Sequence, residues 1–228
     1  MTEIIIQAEK NIKKIALVEN GKLIEFYEED NEYKRKEGNI YIGIVKDVVK
    51  GMQSAFVDIG TEKNSLIHLK DILPKVDEKK EKQKENVEIS DIVKTNQKLL
   101  VQVKKDSNEK KGARVSTHIN LPGKYIALLP NTDIVTVSQK IEDIKEQERL
   151  IKLVKENLSK GNGAVIRTSA QNKEQEVIDD IKRLENKWNK IIQTSVEPKL
   201  KKAQLLYRSE NIIEKMLMDL ANTSIEKI

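Results

Sequence analysis

The stretch GNGAVIRTSAQ, residues 161–171, releases a short apolar run, Ala164-Val165-Ile166, that ends on an arginine and a threonine side by side. Arg167 offers a planar fork that can hold two phosphate oxygens at once. The Thr168 hydroxyl, or its backbone N–H, would complete an anion pocket. A terminal monophosphate carries about two negative charges and rewards such a cluster more than a chain phosphodiester does. Strand alternation sends neighbouring side chains to opposite faces, so both reach one phosphate only where the strand ends or bends. The competing reading of an isolated Arg-Thr pair is a surface arginine in an exposed ion pair, which contributes little.

A second candidate is GMQSAFVDIG, residues 51–60, with Phe56 as the only phenylalanine after the opening hairpin. On the outside of a small barrel such a ring stacks on a nucleobase, worth about 1–3 kcal/mol per base. Alternation alone leaves a core and a surface role for Phe56 open. Lys46, Lys50, Lys63 and Lys70 lie nearby in sequence and supply phosphate contacts if they share that face. KKGARVSTH places Lys110 and Lys111 in a turn before Gly112, with Arg114 following; this is either a basic tip for a nucleic-acid backbone or a solvated turn. The carboxylates offer less. Asp58 has no acidic partner at metal-pair spacing, and Asp179-Asp180 and Glu28-Glu29-Asp30 read as solvated faces.

The chain has no cysteine, which excludes disulfides, thiolate nucleophiles and Cys-ligated zinc. His68 and His118 are its only histidines, too few for a histidine-rich metal centre. No P-loop, dinucleotide fingerprint or nucleophile elbow is present. No catalytic constellation emerges. Lys and Arg exceed Asp and Glu by 42 to 37, a charge of +5 that mildly favours phosphate-rich partners. No apolar run reaches membrane-span length, and MTEIIIQAEK lacks the features of a secretory leader, so the expectation is a cytoplasmic protein.

These side chains need elements to hold them. With 35% charged and 4% aromatic residues, the core must be built from Ile, Leu and Val. EIIIQAEK and KKIALVENGKLIEFYEE predict strands joined at Asn20-Gly21, a type I′ hairpin signal. From Gly38, short glycine-punctuated strands predict a small closed barrel. The run from about residue 75 to 95, alternating Lys and Glu, predicts a solvated or disordered excursion. QKLLVQVKKD returns to strand, with Leu99, Val101 and Val103 on one face. Beyond Leu121, GKYIALLP, IVTVSQK and GAVIRTS predict strands. IEDIKEQERLIKLVKENL predicts a helix with Ile144, Ile151, Val154 and Leu158 on one side. Val177, Ile181, Leu184, Trp188 and Ile191 mark a second helix with a narrow apolar seam. SENIIEKMLMDLAN predicts a last helix capped by Ser209. TSIEKI starts a strand at the very end, as expected of a piece of a longer chain.

Four ordered motifs, GNIYIGIVKDVVKGMQSAFVDIG, KGARVSTHINLPGKYIALLP, VSQKIED and VIRTSA, resemble the ribonuclease E/G family of bacterial endoribonucleases. The resemblance covers nearly the whole chain and is weakest at 75–95. It implies an α+β fold. An S1-like, OB-type β-barrel at 38–118 is inserted in a partial RNase H-like subdomain, 1–37 with 199–228, and an α/β 5′-sensor subdomain follows at 119–198. It implies that Arg167 and Thr168 hold a 5′ phosphate, that Gly123 and Ala127 lie beside the terminal base, and that Phe56, Leu66 and Lys111 hold RNA on the barrel. The family usually has a larger aliphatic residue at Ala127 and often a second aromatic at Leu66, so base packing at both is expected to be weaker.

The resemblance further implies cleavage of single-stranded RNA, in rRNA processing and mRNA decay, by magnesium-assisted hydrolysis near paired aspartates. Those aspartates, and a cysteine pair binding zinc between protomers, are expected beyond Ile228. The 228-residue chain is therefore expected to hold no cofactor and to bind without cutting. Its expected partner is single-stranded RNA, preferentially 5′-monophosphorylated, and a homo-oligomer is expected of the full-length parent. The alternative is a non-catalytic single-stranded RNA-binding module with no 5′-end sensing.

Overall fold

The computed structural model describes residues 2–9, 12–30, 35–72, 87–196, 202–210 and 225–227. In chain order the first strands are β1 (Thr2–Ala8), β2 (Ile12–Glu19), β3 (Lys22–Asp30), β4 (Ile40–Val49), β5 (Ser54–Asp58) and β6 (Ser65–His68). A short helix α1 (Ile89–Ile92) precedes β7 (Lys98–Lys105), β8 (Arg114–Ser116), β9 (Leu121–Pro122), β10 (Ile126–Pro130) and β11 (Val135–Val137). Helix α2 (Ile144–Asn157), β12 (Asn162–Ile166), helix α3 (Glu174–Ser195), β13 (Gln204–Tyr207) and β14 (Ile225–Lys227) complete the described elements. The chain divides into two compact units, Met1–Arg35 with Glu210–Ile228, and Lys36–Ser209.

The first unit is a sheet in the order β14-β1-β2-β3, antiparallel except for β14, which runs parallel to β1. Asn20 and Gly21 have φ of 50° and 75°, the pair of positive values that a type I′ turn requires. Ile4, Ile15 and Leu17 are buried on one side of the sheet. The helix expected from Ser209 lies, beyond Glu210, outside the described residues.

In the second unit, β4, β5, β6, β8 and β7 form a closed five-stranded barrel, β7 returning to pair with β4. Only the β6–β8 pairing is parallel. This is an arrangement compatible with an OB-type fold. Leu99, Val101 and Val103 point inward together, as their alternation predicts. The expectation of a solvated excursion to residue 95 is corrected at its end. Ile89, which opens the single turn α1, and Val93, which follows it, are buried in the barrel core, and the Ile89 N–H donates to Gln53 Oε1 at 2.9 Å. Two apolar residues, one at each end of the turn, seat it in the core. Residues 73–86 of that run lie outside the described residues.

The rest of the second unit is a sheet in the order β11-β12-β10-β9 with two helices. β11, α2 and β12 make a βαβ unit, since β11 and β12 pair in parallel. Helix α2 packs on β11 and β12, and α3 on β10. The α3 seam, Val177, Ile181, Leu184, Trp188 and Ile191, is buried as its spacing predicts. In α2 the expectation for Ile144 is corrected: it opens the first turn, directly after the N-cap Asp143, and is 69% exposed. Leu150 and Val154 bury that helix instead.

Barrel and sheet share structure. Ile40 at the start of β4 is buried in the core of the α/β layer, whereas Val45 of the same strand belongs to the barrel core. The Gln102 side chain of β7 donates to Asn120 O at 2.9 Å and accepts from Asn120 N at 2.9 Å. Strand β13 pairs antiparallel with β4, placing Leu205 against the barrel core and Leu206 against the other.

Candidate nucleic-acid interface

Strand β12 ends at Ile166. Arg167 keeps an extended backbone, φ −89° and ψ 162°, and Thr168–Ala170 turn sharply into one turn of 3-10 helix. The two neighbouring side chains therefore stand where a strand gives way to a turn, not within a continuing strand. Arg167 is half-buried and Thr168 exposed.

Two hydrogen bonds fix this turn to the hairpin joining β9 to β10. The Arg167 N–H donates to Tyr125 O at 2.9 Å, and the Ser169 hydroxyl donates to Lys124 O at 2.6 Å. The hairpin tip is braced in turn by a carboxylate. Asp180 Oδ2 accepts from Tyr125 N at 2.9 Å and Ile126 N at 3.3 Å, and Oδ1 accepts from Arg183 Nη2 at 2.6 Å. Asp180 is 5% exposed. The reading of Asp179-Asp180 as a solvated face is thereby corrected for Asp180. The signal was available: position 180 falls between Val177 and Leu184 on the apolar seam, where only a partnered carboxylate is tolerated.

Gly123 sits at the same tip, its N–H donating to Ile126 O at 2.8 Å. A β-carbon there would run into Asp180 Oδ2 and stand 2.7 Å from both Ile126 O and Leu184 Cδ1. Two of those three obstacles are held in place by backbone or by hydrogen bonds. Gly123→Ala is expected to destabilise the second unit by about 1–3 kcal/mol, the usual scale of overpacking. A thermal melt measures it, as a fall of several degrees in Tm. Ala127, in β10, pairs with Val165 of β12. Alternation places both on the face opposite Ile126, Leu128, Ala164 and Ile166, which pack with the helices. Arg167, two residues after Val165, continues that opposite face. Gly123, Ala127, Arg167 and Thr168 thus gather at one end of one sheet.

Two lysines are near them in sequence, Lys124 in the hairpin and Lys173 after the turn. Lys124 Nζ lies 5.1 Å from the centroid of the Tyr125 ring, and Lys173 Nζ lies 3.3 Å from Glu176 Oε1. The Glu176 carboxyl is held below its usual range by its own backbone N–H in the first turn of α3, then by Lys173 and, at longer range, Lys124.

The barrel group stands on the other sheet. Phe56 of β5 pairs with Leu66 of β6, and both are half-buried, between Ala55, Val57 and Ile67 at 0% exposure. The alternation left open by sequence is resolved with Phe56 on the outer surface. Lys111 is exposed in a turn built by Asn108, whose Oδ1 accepts from Lys110 N at 3.0 Å and Lys111 N at 2.8 Å. Gly112 then lets that turn pass close to the chain at Asn64, because a β-carbon would collide with the Asn64 carbonyl.

The family model for the ribonuclease E/G family matches residues 120–228. Over 230 aligned residues, ribonuclease G of Escherichia coli K12 is 35% identical, the alignment covering 99% of this chain and 47% of that protein. The chain belongs to the ribonuclease E/G family. Ribonuclease G of Haemophilus influenzae is 36% identical over 99% of the chain and 46% of its own length. Ribonuclease E of Nostoc is 30% identical over 95% of the chain and 32% of its own length. The chain spans about half the length of the curated ribonuclease G proteins it matches. Among the described residues no helix is long and apolar enough to cross a membrane.

Proposed function

We propose that this chain is the RNA-gripping region of a ribonuclease G-like endoribonuclease: it binds single-stranded RNA on its barrel and senses a 5′ monophosphate on its α/β sheet. Arg167 chelates phosphate oxygens through its fork, and the Thr168 hydroxyl donates a hydrogen bond to the same phosphate. Gly123 and Ala127 leave room for the terminal base. Phe56 and Leu66 offer apolar surface to bases, and Lys111 offsets backbone charge. The observation that carries this reading is the strand end at Ile166: it presents Arg167 and Thr168 together and is tied by two hydrogen bonds to the hairpin bearing Gly123.

On this reading the 38–118 barrel is the S1-type module, 119–198 is the 5′ sensor, and the sheet β14-β1-β2-β3 is part of an RNase H-like subdomain. That assignment is supported by a sheet in which only the β14 neighbour is parallel. The whole protein is a cytoplasmic, magnesium-dependent hydrolase acting in rRNA processing and mRNA decay. Among the described residues no three His, Asp or Glu side chains cluster as metal ligands. No step of this proposal runs through a metal ion.

The test compares two oligonucleotides that differ only at the 5′ end, monophosphate against hydroxyl. The chain is expected to bind the monophosphate about tenfold or more tightly, on the scale of one charge-assisted hydrogen bond. Equal affinities would leave only barrel binding, the non-sensing alternative.

A further inference from the structure

One outward residue from each of four adjacent barrel strands falls in register. Asp47 of β4 stands opposite Phe56 of β5, Phe56 opposite Leu66 of β6, and Leu66 opposite Arg114 of β8. Residues paired across strands share a face. Burial agrees: Val57, Ile67 and Val115, the next residues along three of these strands, are 0% exposed, while Phe56 and Leu66 are half-buried and Arg114 is exposed. The row is anionic at one end, apolar in the middle and ends on a guanidinium. Phe56 and Arg114 are two strand spacings apart, roughly 10 Å.

The Arg114 side chain is held, not waving. Its Nε donates to Asp71 Oδ2 at 3.1 Å, and its Nη2 donates to Asp71 Oδ2 at 2.8 Å and Oδ1 at 3.2 Å. Asp71 is itself anchored through its backbone carbonyl, which accepts from Ser116 Oγ at 3.0 Å, Thr117 N at 2.9 Å and Thr117 Oγ1 at 3.1 Å. The pair is unequally covered: the Asp71 side chain is 15% exposed and that of Arg114 48%. The carboxylate at its edge takes up the charge and fixes the plane, and nearly half of the Arg114 side chain faces solvent. A planar, charge-compensated group beside Leu66 and Phe56 offers a stacking surface more than a phosphate grip. Bases stack on arginine planes as they do on aromatic rings.

We propose that Arg114, oriented by Asp71, is a further base-stacking position on the barrel, so that single-stranded RNA crosses Phe56, Leu66 and Arg114 in turn. Where Leu66 supplies no ring, Arg114 supplies the next flat surface. This rests on the reading that the barrel binds RNA.

The test uses the 228-residue chain and a short 5′-hydroxyl oligoadenylate, so that the 5′ end contributes nothing. Affinity is measured for the wild type, Phe56→Ala and Arg114→Lys, with a thermal melt of each. Arg114→Lys keeps the charge and the partner of Asp71 but loses the plane. It is expected to weaken binding about fivefold or more, with an unchanged slope of log Kd against log salt, since a single stack is worth about 1–3 kcal/mol, fivefold to 150-fold. Oligonucleotides with one base replaced by an abasic sugar are then scanned. One position is expected to cost the wild type about fivefold and Arg114→Lys nothing. An Arg114→Lys variant that binds like the wild type, or keeps its full abasic sensitivity, while Phe56→Ala is weakened, overturns the Arg114 assignment and leaves the barrel reading standing. No loss in either variant, or no binding by the wild type, overturns both.

Discussion

Replacing Arg167 with alanine is expected to erase the preference for a 5′-monophosphate over a 5′-hydroxyl oligonucleotide. On the proposed reading the side chain supplies charge-assisted hydrogen bonds to a group with about two negative charges, and each such bond is worth about 1.5–3 kcal/mol, roughly tenfold to a hundredfold in affinity ratio. It is the Arg167 N–H, not its guanidinium, that bonds Tyr125 O at 2.9 Å, so the turn keeps its tie to the hairpin when the side chain is cut back. On that reading the 5′-hydroxyl oligonucleotide is held by the barrel alone, and its binding should hardly change. Arg167→Lys should recover part of the preference, because a point charge remains while the bidentate geometry is lost. The ratio of the two dissociation constants reads the result. An Arg167→Ala ratio equal to the wild type's would remove Arg167 from the phosphate site.

The second large effect is at Asp180. Its carboxylate satisfies two backbone N–H groups, of Tyr125 and Ile126, in a place that water does not reach. Asp180→Ala strands both donors, at about 1–3 kcal/mol each, so the second unit is expected to lose roughly 3 kcal/mol. The Arg183 side chain is 46% exposed, and releasing it costs little. Urea unfolding measures the loss directly. The same variant should also blunt 5′-phosphate discrimination, because the tip that carries Tyr125 O and Lys124 O is what positions Arg167 and Ser169. Unchanged stability would mean that those two N–H groups find other partners.

Much of this was legible in the sequence where the determinant is local. Asn20-Gly21 announced its turn because positive φ at two successive residues suits few other pairs. The α3 seam announced itself through spacing. The end of β12 was legible in part: Gly161 and Gly163 bracket the start of the strand, but only the coordinates put the sharp turn at Thr168. What was not legible depends on distant parts of the chain. Ile89 and Val93 lie among lysines and glutamates, and nothing nearby tells that a barrel interior waits for them. Asp180 lies on the apolar seam of α3, but the Tyr125 and Ile126 N–H groups that its carboxylate serves are 55 and 54 residues away in sequence. The row from Phe56 to Arg114 exists only through pairing, across a parallel contact between Leu66 and Arg114, which are far apart in sequence.

The shared strand has a consequence of its own. β4 gives Ile40 to one interior and Val45 to the other, and β13 returns to lie against both. Neither body can come undone without opening its neighbour, so the barrel and the sheet should melt as one cooperative block. If RNA is held at the first as proposed, a tug on it would be felt, through a continuous backbone and not a hinge, at the second.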